Sequence, residues 1–289
     1  MGLMPWSIDK NGNALDKGSA TDADEDIIST LIDAVGKDPN LTMTDSDGST
    51  MKVSDMLKQA VSNFAKLDCG SANGLTGGST QWTLGAGFTD YLDPTALAKM
   101  INYAKANGMA AQATTIGNAM QSMMQYVKNE LNGNGGLPSN SGDGSCALSR
   151  DLYRLTEFIS SPLSAAYPSL KSEATSIVQG LLTKGFASGA IKLGQNPPSV
   201  SVTTPGSFTL GGAQASAPVY MAMMLLNKQG LLPPGLASQI PGVKAGFDHD
   251  MDTQFNNLKS ESPSTYSNNG DYFGLTLGIL SESLLQEYS

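Results

Sequence analysis

Apolar residues recur every three to four positions along most of this chain, which is the spacing of one helix face. The clearest run is preceded by Thr21 or Asp22 as a capping residue and by acids that suit the positive end of a helix. The apolar members of that run are Ile27, Ile28, Leu31, Ile32 and Val35. Eight further helices are predicted, from Ser54, from Pro94 to Gly108, and over 112–131, 148–158, 170–184, 214–229, 252–258 and 272–287.

Alternating apolar and polar positions, the signature of a half-buried strand, are scarce. The only run that favours a strand is Ser199–Thr204, which a turn at Pro205-Gly206 could pair with Ser207–Leu210. Nine helices separated by Gly/Pro loops therefore predict an all-α protein that forms a single domain over 1–289. Helical hairpins around an axis build a solenoid or an α/α barrel, and the uneven repeat lengths favour the barrel.

The composition of the chain argues against several classes of function. The net charge is −9, and only two of the 17 basic residues are arginine, Arg150 and Arg154. A broad nucleic-acid-binding surface is not expected from such a chain. No apolar run reaches the ~18 residues of a membrane span, and no signal peptide is expected at the start, MGLMPWSIDK. Cys69 and Cys146 are the only cysteines, and they form one bridge or stay as two thiols.

Several motifs that suggest familiar chemistry fail on inspection. The calcium-like stretches at Asp9–Asn13 and Asp45–Ser49 lack the Gly and Glu that an EF-hand needs at positions six and twelve. The single histidine, His249, lies among aspartates that we interpret as a solvated helix start rather than as a metal site. Neither a nucleophile elbow nor a Walker loop is present, and we expect no metal and no cofactor.

With these motifs set aside, catalysis by carboxyl groups is the remaining candidate chemistry. Asp22 lies in Ala20-Thr21-Asp22-Ala23-Asp24, directly before the apolar run, and such an acid is either a helix cap or an active-site group. With Met4-Pro5-Trp6 and a polar loop ahead of it, this segment resembles the A-[S/T]-D-[A/G]-D signature of glycoside hydrolase family 8, whose first Asp is an active-site residue. The segment departs from the family at Ile28 and Asp38, where Ala and Trp are usual.

Three later segments are similar to family 8 motifs in the same order. Asp90-Tyr91-Leu92-Asp93-Pro94 resembles S-Y-x-x-P, and Gly136-Leu137-Pro138 resembles the start of G-L-x-P-D-W. The segment from Cys146 to Arg154 resembles Y-D-A-x-R-x-P-W-R, with both arginines and the aromatic Tyr153 in register. Guanidinium groups hold carboxylates and hydroxyl groups in ways that lysine cannot, so the placement of the only two arginines in this segment supports a site.

The resemblance implies an (α/α)6 barrel, incomplete at its N-terminus, that hydrolyses a β-1,4-linked polysaccharide with inversion. Cellulose-type glucan is the first expectation. Asp22 would position the central sugar, Arg150 and Arg154 would order the cleft, and Tyr91 and Tyr153 would contact sugar. Asp22 and Arg150 are then expected in one cleft. Trp82, with Trp6 and Tyr272, is either a further sugar platform or a core anchor.

The catalytic pair of the family does not transfer completely. Inversion needs a protonated acid and a carboxylate base that holds water, ~6.5–9.5 Å apart. The acid of the family is a Glu upstream of everything in this chain, with Glu282 as a distant substitute, and the base position holds Ala147. Asp151, one turn later, replaces the base or forms an ion pair with Arg150 or Arg154. Asp143 is a weaker substitute.

Two hypotheses result. The first is a secreted or periplasmic, monomeric glycoside hydrolase whose partner is a polysaccharide or oligosaccharide. The alternative is a catalytically inactive glycan-binding or structural homologue on the same barrel.

Overall fold

The computed structural model describes residues 3, 15, 19–44, 48–73, 80–85, 88–133, 136–138, 147–203 and 209–260. In these ranges the chain is mainly helical, as predicted. The eight helices are α1 (Thr21–Lys37), α2 (Val53–Leu67), α3 (Pro94–Ala106), α4 (Ala110–Asn132), α5 (Ala147–Ser160), α6 (Pro168–Ser188), α7 (Ala213–Lys228) and α8 (Ile240–Ser260). The predicted helix over 272–287 lies outside the described residues.

In the described ranges, seven short strands form three small antiparallel sheets. These strands are β1 (Thr42–Thr44), β2 (Thr50–Lys52), β3 (Cys69–Asn73), β4 (Thr80–Leu84), β5 (Ile191–Gln195), β6 (Pro198–Thr203) and β7 (Thr209–Leu210). The sheets are β1–β2, β3–β4 and β5–β6–β7. The pairing of β6 with β7 confirms the predicted hairpin, whereas the other strands were not expected.

Contacts divide the chain into two compact units. The first comprises Met1–Tyr126 and Ser161–Leu170, and the second comprises Val127–Ser160 and Lys171–Ser289. The prediction of one domain over 1–289 is not tested by this division.

In the first unit, α1 packs against α2 and α3. The hydroxyl group of Thr21, at the start of α1, donates to Asp68, directly after α2, so the two helices run antiparallel. Helix α3 begins where the sequence predicts, because Asp93 caps it by accepting from the Ala96 N–H at 2.9 Å and Pro94 follows. It ends at Ala106, and Gly108 follows two residues later with a φ of +74° that suits glycine.

In the second unit, α7 packs against α5 and α8, and α8 packs on the β5–β6 hairpin. The rings of Tyr220 and Phe247 stack with centroids 4.6 Å apart.

The prediction that a helix begins at Asp252, with His249 near its solvated start, is wrong: α8 starts at Ile240, and His249 lies in its interior. Gly242 and Gly246 weaken the sequence signal for this helix. A Cβ at Gly242 would meet the flexible end of the Leu193 side chain, whereas a Cβ at Gly246 would meet backbone. A Cβ at Gly246 would lie 2.9 Å from the Ser199 carbonyl carbon.

Candidate functional site

Asp22 lies in the first turn of α1, but it is not the N-cap residue. The capping position belongs to Ala20, whose side chain makes no capping bond, so the interpretation of Thr21 or Asp22 as the cap is wrong. Asp22 is the second residue of the helix and is half-buried, and its Oδ1 accepts from the Ala23 N–H at 3.0 Å. Asp22 is therefore not the N-cap residue, and its carboxylate stabilises the first turn of α1 by accepting from an N–H that has no partner within the helix.

The buried face of α1 begins with polar residues, which were not expected from the sequence. Thr21, Asp24, Glu25 and Ile28 are buried, whereas Ile27 is 36 % exposed and Leu31, Ile32 and Val35 are half-buried. The spacing of 21, 24, 25 and 28 is itself that of one helix face. The sequence contains this spacing, but acids in the first turn also suit the helix dipole, so the spacing alone does not predict their burial.

Asp68 joins this face from the end of α2 and completes a buried acidic cluster, which consists of Asp24, Glu25 and Asp68. Asp24 is 2 % exposed, Glu25 0 % and Asp68 6 %. Burial raises the pKa of Asp68 to about 6; the hydrogen bond from Thr21 lowers the pKa and the negative charge of Asp24 raises it.

Cys69, the first residue of β3, lies against the same cluster as a free, buried thiol. Burial, followed by the negative charges of Glu25 and Asp68, raises its pKa far above the usual range. The thiol therefore stays protonated and is not a reactive nucleophile. Cys146 lies outside the described residues.

Tyr91 lies close to the start of α1, because Gly85 between them has no side chain. A Cβ at Gly85 would collide with the Thr21 hydroxyl oxygen and would lie 3.0 Å from Cδ2 of Tyr91. The side chains of Thr21 and Tyr91 therefore both occupy the space next to Gly85. Tyr91 ends a 3-10 helix at Thr89–Tyr91, and Phe88 contacts it edge-on with ring centroids 5.8 Å apart. The structure thus brings Tyr91 next to Thr21, the residue that precedes Asp22.

The second set of predicted residues lies on α5. Arg150, Tyr153 and Glu157 are half-buried and form one partly exposed stripe, since they are three and four residues apart. Arg154, one turn after Arg150, and Asp151 are buried, at 6 % and 2 % exposed. Arg150 and Tyr153 are thus presented together, with Glu157 as a neighbour that was not among the predicted site residues.

The family base position is also on α5. Ala147 is fully buried, and Asp151, one turn later, points into the same interior. Helix α5 as a whole packs against α7 and β6 in the second unit. In this arrangement the carboxyl group of Asp151 is closed to solvent.

Other expected residues are placed less completely. Trp82 lies in β4 opposite Ser71, but its side chain is outside the described part of the chain. Trp6, Asp143, Tyr272 and Glu282 also fall outside the described ranges. Asp22 belongs to the first unit and Arg150 to the second, and their sharing one cleft stays a prediction.

Outside the two sets of residues above, the described part of the chain shows few features that suggest a function. The described residues contain no group of three or more His, Cys, Asp or Glu side chains arranged to hold a metal ion. No helix among them has the length and apolar character required to cross a membrane. An open cavity of about 380 Å³ in the second unit is lined by Gly133, Gly136, Lys184, Ala187 and Ser188. Gly136 belongs to the Gly136-Leu137-Pro138 motif, and none of the five is a predicted site residue.

Comparison of the chain with models of protein families, with curated proteins and with solved structures found no match. The resemblance to glycoside hydrolase family 8 therefore depends on the motif residues alone.

Proposed function

We propose that this protein is a family 8-like glycoside hydrolase that acts on a β-1,4-linked polysaccharide, with cellulose-type glucan as the first candidate. The observation that carries the proposal is Asp22 in the A-T-D-A-D segment: it is half-buried in the first turn of α1, and Tyr91 lies beside the residue before it. An acid and an aromatic side chain together provide hydroxyl recognition and a stacking surface for a sugar.

Each side chain has a distinct task in this proposal. The Asp22 carboxylate accepts hydrogen bonds from sugar hydroxyl groups, and the Tyr91 ring packs on the C–H face of a neighbouring sugar. Arg150 and Tyr153 form the second set of contacts from one stripe of α5, with Arg154 buried behind them. The (α/α)6 barrel belongs to the same proposal and is supported by antiparallel helix packing such as that of α1 with α2.

Inverting hydrolysis places one further demand on the site. One carboxyl group must protonate the leaving oxygen while a carboxylate removes a proton from the attacking water. Asp151 is the candidate base in this proposal. Its side chain is 2 % exposed, so turnover requires the first turn of α5 to shift.

Glycan binding without hydrolysis is the second candidate function. The specific observation that favours it is Ala147, which is fully buried at the family base position and cannot move a proton. Loss of an essential acid or base commonly lowers a rate by ~10²–10⁴. The second candidate keeps the same binding residues and differs only in turnover.

The test combines calorimetry with reducing-end release on cellohexaose, xylohexaose and chitosan hexamer. We expect wild type to bind at least one of them, and Asp22→Ala and Arg150→Lys each to weaken binding. The exposed Asp252→Asn is the matched control and leaves binding unchanged. Turnover that Asp151→Ala abolishes supports the hydrolase, and binding with negligible turnover supports the second candidate. No binding to any of the three glycans overturns both.

The remaining expectations belong to the same proposal. An extracytoplasmic location suits a protein that meets polysaccharide, and a net charge of −9 argues against nucleic acid as the partner. A monomer is expected, and sedimentation of the purified chain tests it.

A further inference from the structure

Asp68 connects three elements in the first unit. Its backbone N–H donates to Phe64 O at 2.9 Å and ends α2, and its backbone carbonyl accepts from the Gly85 N–H at 2.9 Å, just after β4. Its Oδ1 accepts from the Thr21 hydroxyl group at 2.8 Å, at the start of α1. One residue thus links the end of α2, the end of β4 and the residue that precedes Asp22.

Gly85 completes this connection because it has no side chain. Its φ is +49°, and the space that a Cβ would occupy is filled by the Thr21 hydroxyl group and the Tyr91 ring. The position of Thr21, set by Asp68, therefore also determines where Tyr91 packs.

The carboxyl group of Asp68 is an unfavourable choice if it serves the fold alone. It is 6 % exposed, and its Oδ2 has no hydrogen-bond partner among the described residues. An asparagine would accept the same hydrogen bond from Thr21 without a buried charge. Groups that a fold holds at a cost in stability are concentrated at functional sites.

We propose that Asp68 is a positioning residue of the glycan site: by holding Thr21 against Gly85, it fixes Asp22 and Tyr91 in the arrangement that binds sugar. This inference rests on the proposed function. Asp68 itself is closed to solvent and acts through Thr21.

The experiment measures glycan affinity by calorimetry for wild type, Thr21→Val, Thr21→Ser and Asp68→Asn. Thr21→Val removes the hydroxyl group at nearly constant shape, so we expect affinity to fall about 10-fold. Thr21→Ser keeps the hydroxyl group and is expected to keep most of the affinity. Thr95→Val is the matched control, because the Thr95 hydroxyl group is buried and has no hydrogen-bond partner among the described residues.

A pH series provides a readout that a purely structural role would not change. The ionised carboxyl group of Asp68 accepts a stronger hydrogen bond than the neutral one. Wild-type affinity is expected to rise from pH 5 to pH 7, through the Asp68 pKa of about 6. Asp68→Asn is expected to remove this rise. The other titratable groups beside Asp68 are Asp24 and Glu25 on α1 and Cys69 on β3, and Asp68→Asn leaves them in place.

The outcomes separate this inference from the proposed function. If wild type binds glycan but Thr21→Val binds equally well, or if Asp68→Asn keeps the pH dependence, the positioning role is wrong. If wild type binds no glycan, the proposed function fails, and NMR of the Tyr91 ring decides the positioning role. The ring resonances must then move in Thr21→Val but not in Thr95→Val, and resonances that stay unmoved in Thr21→Val overturn the inference.

Discussion

At the scale of single residues, burial gives Asp68 an ionisation that opposes folding at neutral pH. Its pKa rises from 3.8 to about 6, so the folded state binds a proton more tightly than the unfolded state does. Its contribution is therefore least unfavourable below pH 4 and becomes worse as the pH rises to about 6. At ~1.4 kcal/mol per pKa unit, the cost at pH 8 is about 3 kcal/mol as an upper limit.

We therefore predict that Asp68→Asn raises the free energy of unfolding at pH 8 by about 1–3 kcal/mol and changes it little at pH 4. Urea unfolding at both pH values measures this difference. Asp252→Asn, an exposed acid on α8, is the control and is expected to show no such pattern. An Asp68→Asn variant less stable than wild type at pH 8 would contradict the prediction.

Gly85 leads to an opposite prediction for a substitution to alanine. Its φ of +49° is strained for alanine, and a Cβ would meet Thr21 and Tyr91. We expect Gly85→Ala to lower the free energy of unfolding by about 1–3 kcal/mol. Gly36→Ala is the matched control, because it lies in α1 with nothing within 4 Å of the new Cβ. It should stabilise by up to about 1 kcal/mol, and equal effects of the two substitutions would exclude this explanation.

At the scale of elements, α7 contains a proline that α5 compensates. Pro218 lies inside α7 and has no N–H to donate to the carbonyl of Gln214, four residues earlier. The Ser149 hydroxyl group of α5 donates to that same carbonyl oxygen. A side chain from a neighbouring helix thus replaces the missing backbone hydrogen bond.

A double-mutant cycle tests this compensation. Ser149→Ala leaves the buried carbonyl without its donor, and we expect it to cost about 1–2 kcal/mol. In a Pro218→Ala background the restored N–H bonds to Gln214, so the same change should cost less, with a coupling energy of about 0.5–2 kcal/mol. Thr156→Val on α5 is the control, since the Thr156 hydroxyl group has no partner among the described residues. Strictly additive effects would contradict the prediction.

The elements also show what the sequence could predict. The start of α3 is predicted correctly because Pro94 is a local signal for a first helical turn. The start of α8 was missed because Gly242 and Gly246 lower helix propensity and are explained only by the strands that pack on them. The acidic cluster is not predictable from the sequence, because Asp68 and Asp24 are more than forty residues apart and come close only in the folded chain.

At the scale of the whole molecule, two buried acids and the net charge act in the same direction. Burial also raises the pKa of Asp250, which the nearby Ser216 hydroxyl group and His249 lower in part. Like Asp68, Asp250 contributes more favourably at low pH and less as the pH rises through its raised pKa. A net charge of −9 adds self-repulsion at neutral pH.

We therefore predict a higher melting temperature at pH 5 than at pH 8, measured by circular dichroism at one ionic strength. The double variant Asp68→Asn, Asp250→Asn should show a smaller difference between the two pH values, while Asp252→Asn should keep the wild-type difference. A melting temperature that rises steadily from pH 5 to pH 8 would contradict this.

The β1–β2 hairpin carries a consequence for oxidation. Met43 and Met51 face each other across its two strands and are 49 % and 42 % exposed. Several other methionines are at most 1 % exposed, namely Met100, Met120, Met123, Met124, Met221 and Met223. Peroxide converts accessible thioethers to sulfoxides. The hairpin pair should therefore oxidise before the six buried methionines, which react only once the surrounding helices open. Mass spectrometry of the peptides then shows which of these described regions has opened, and when.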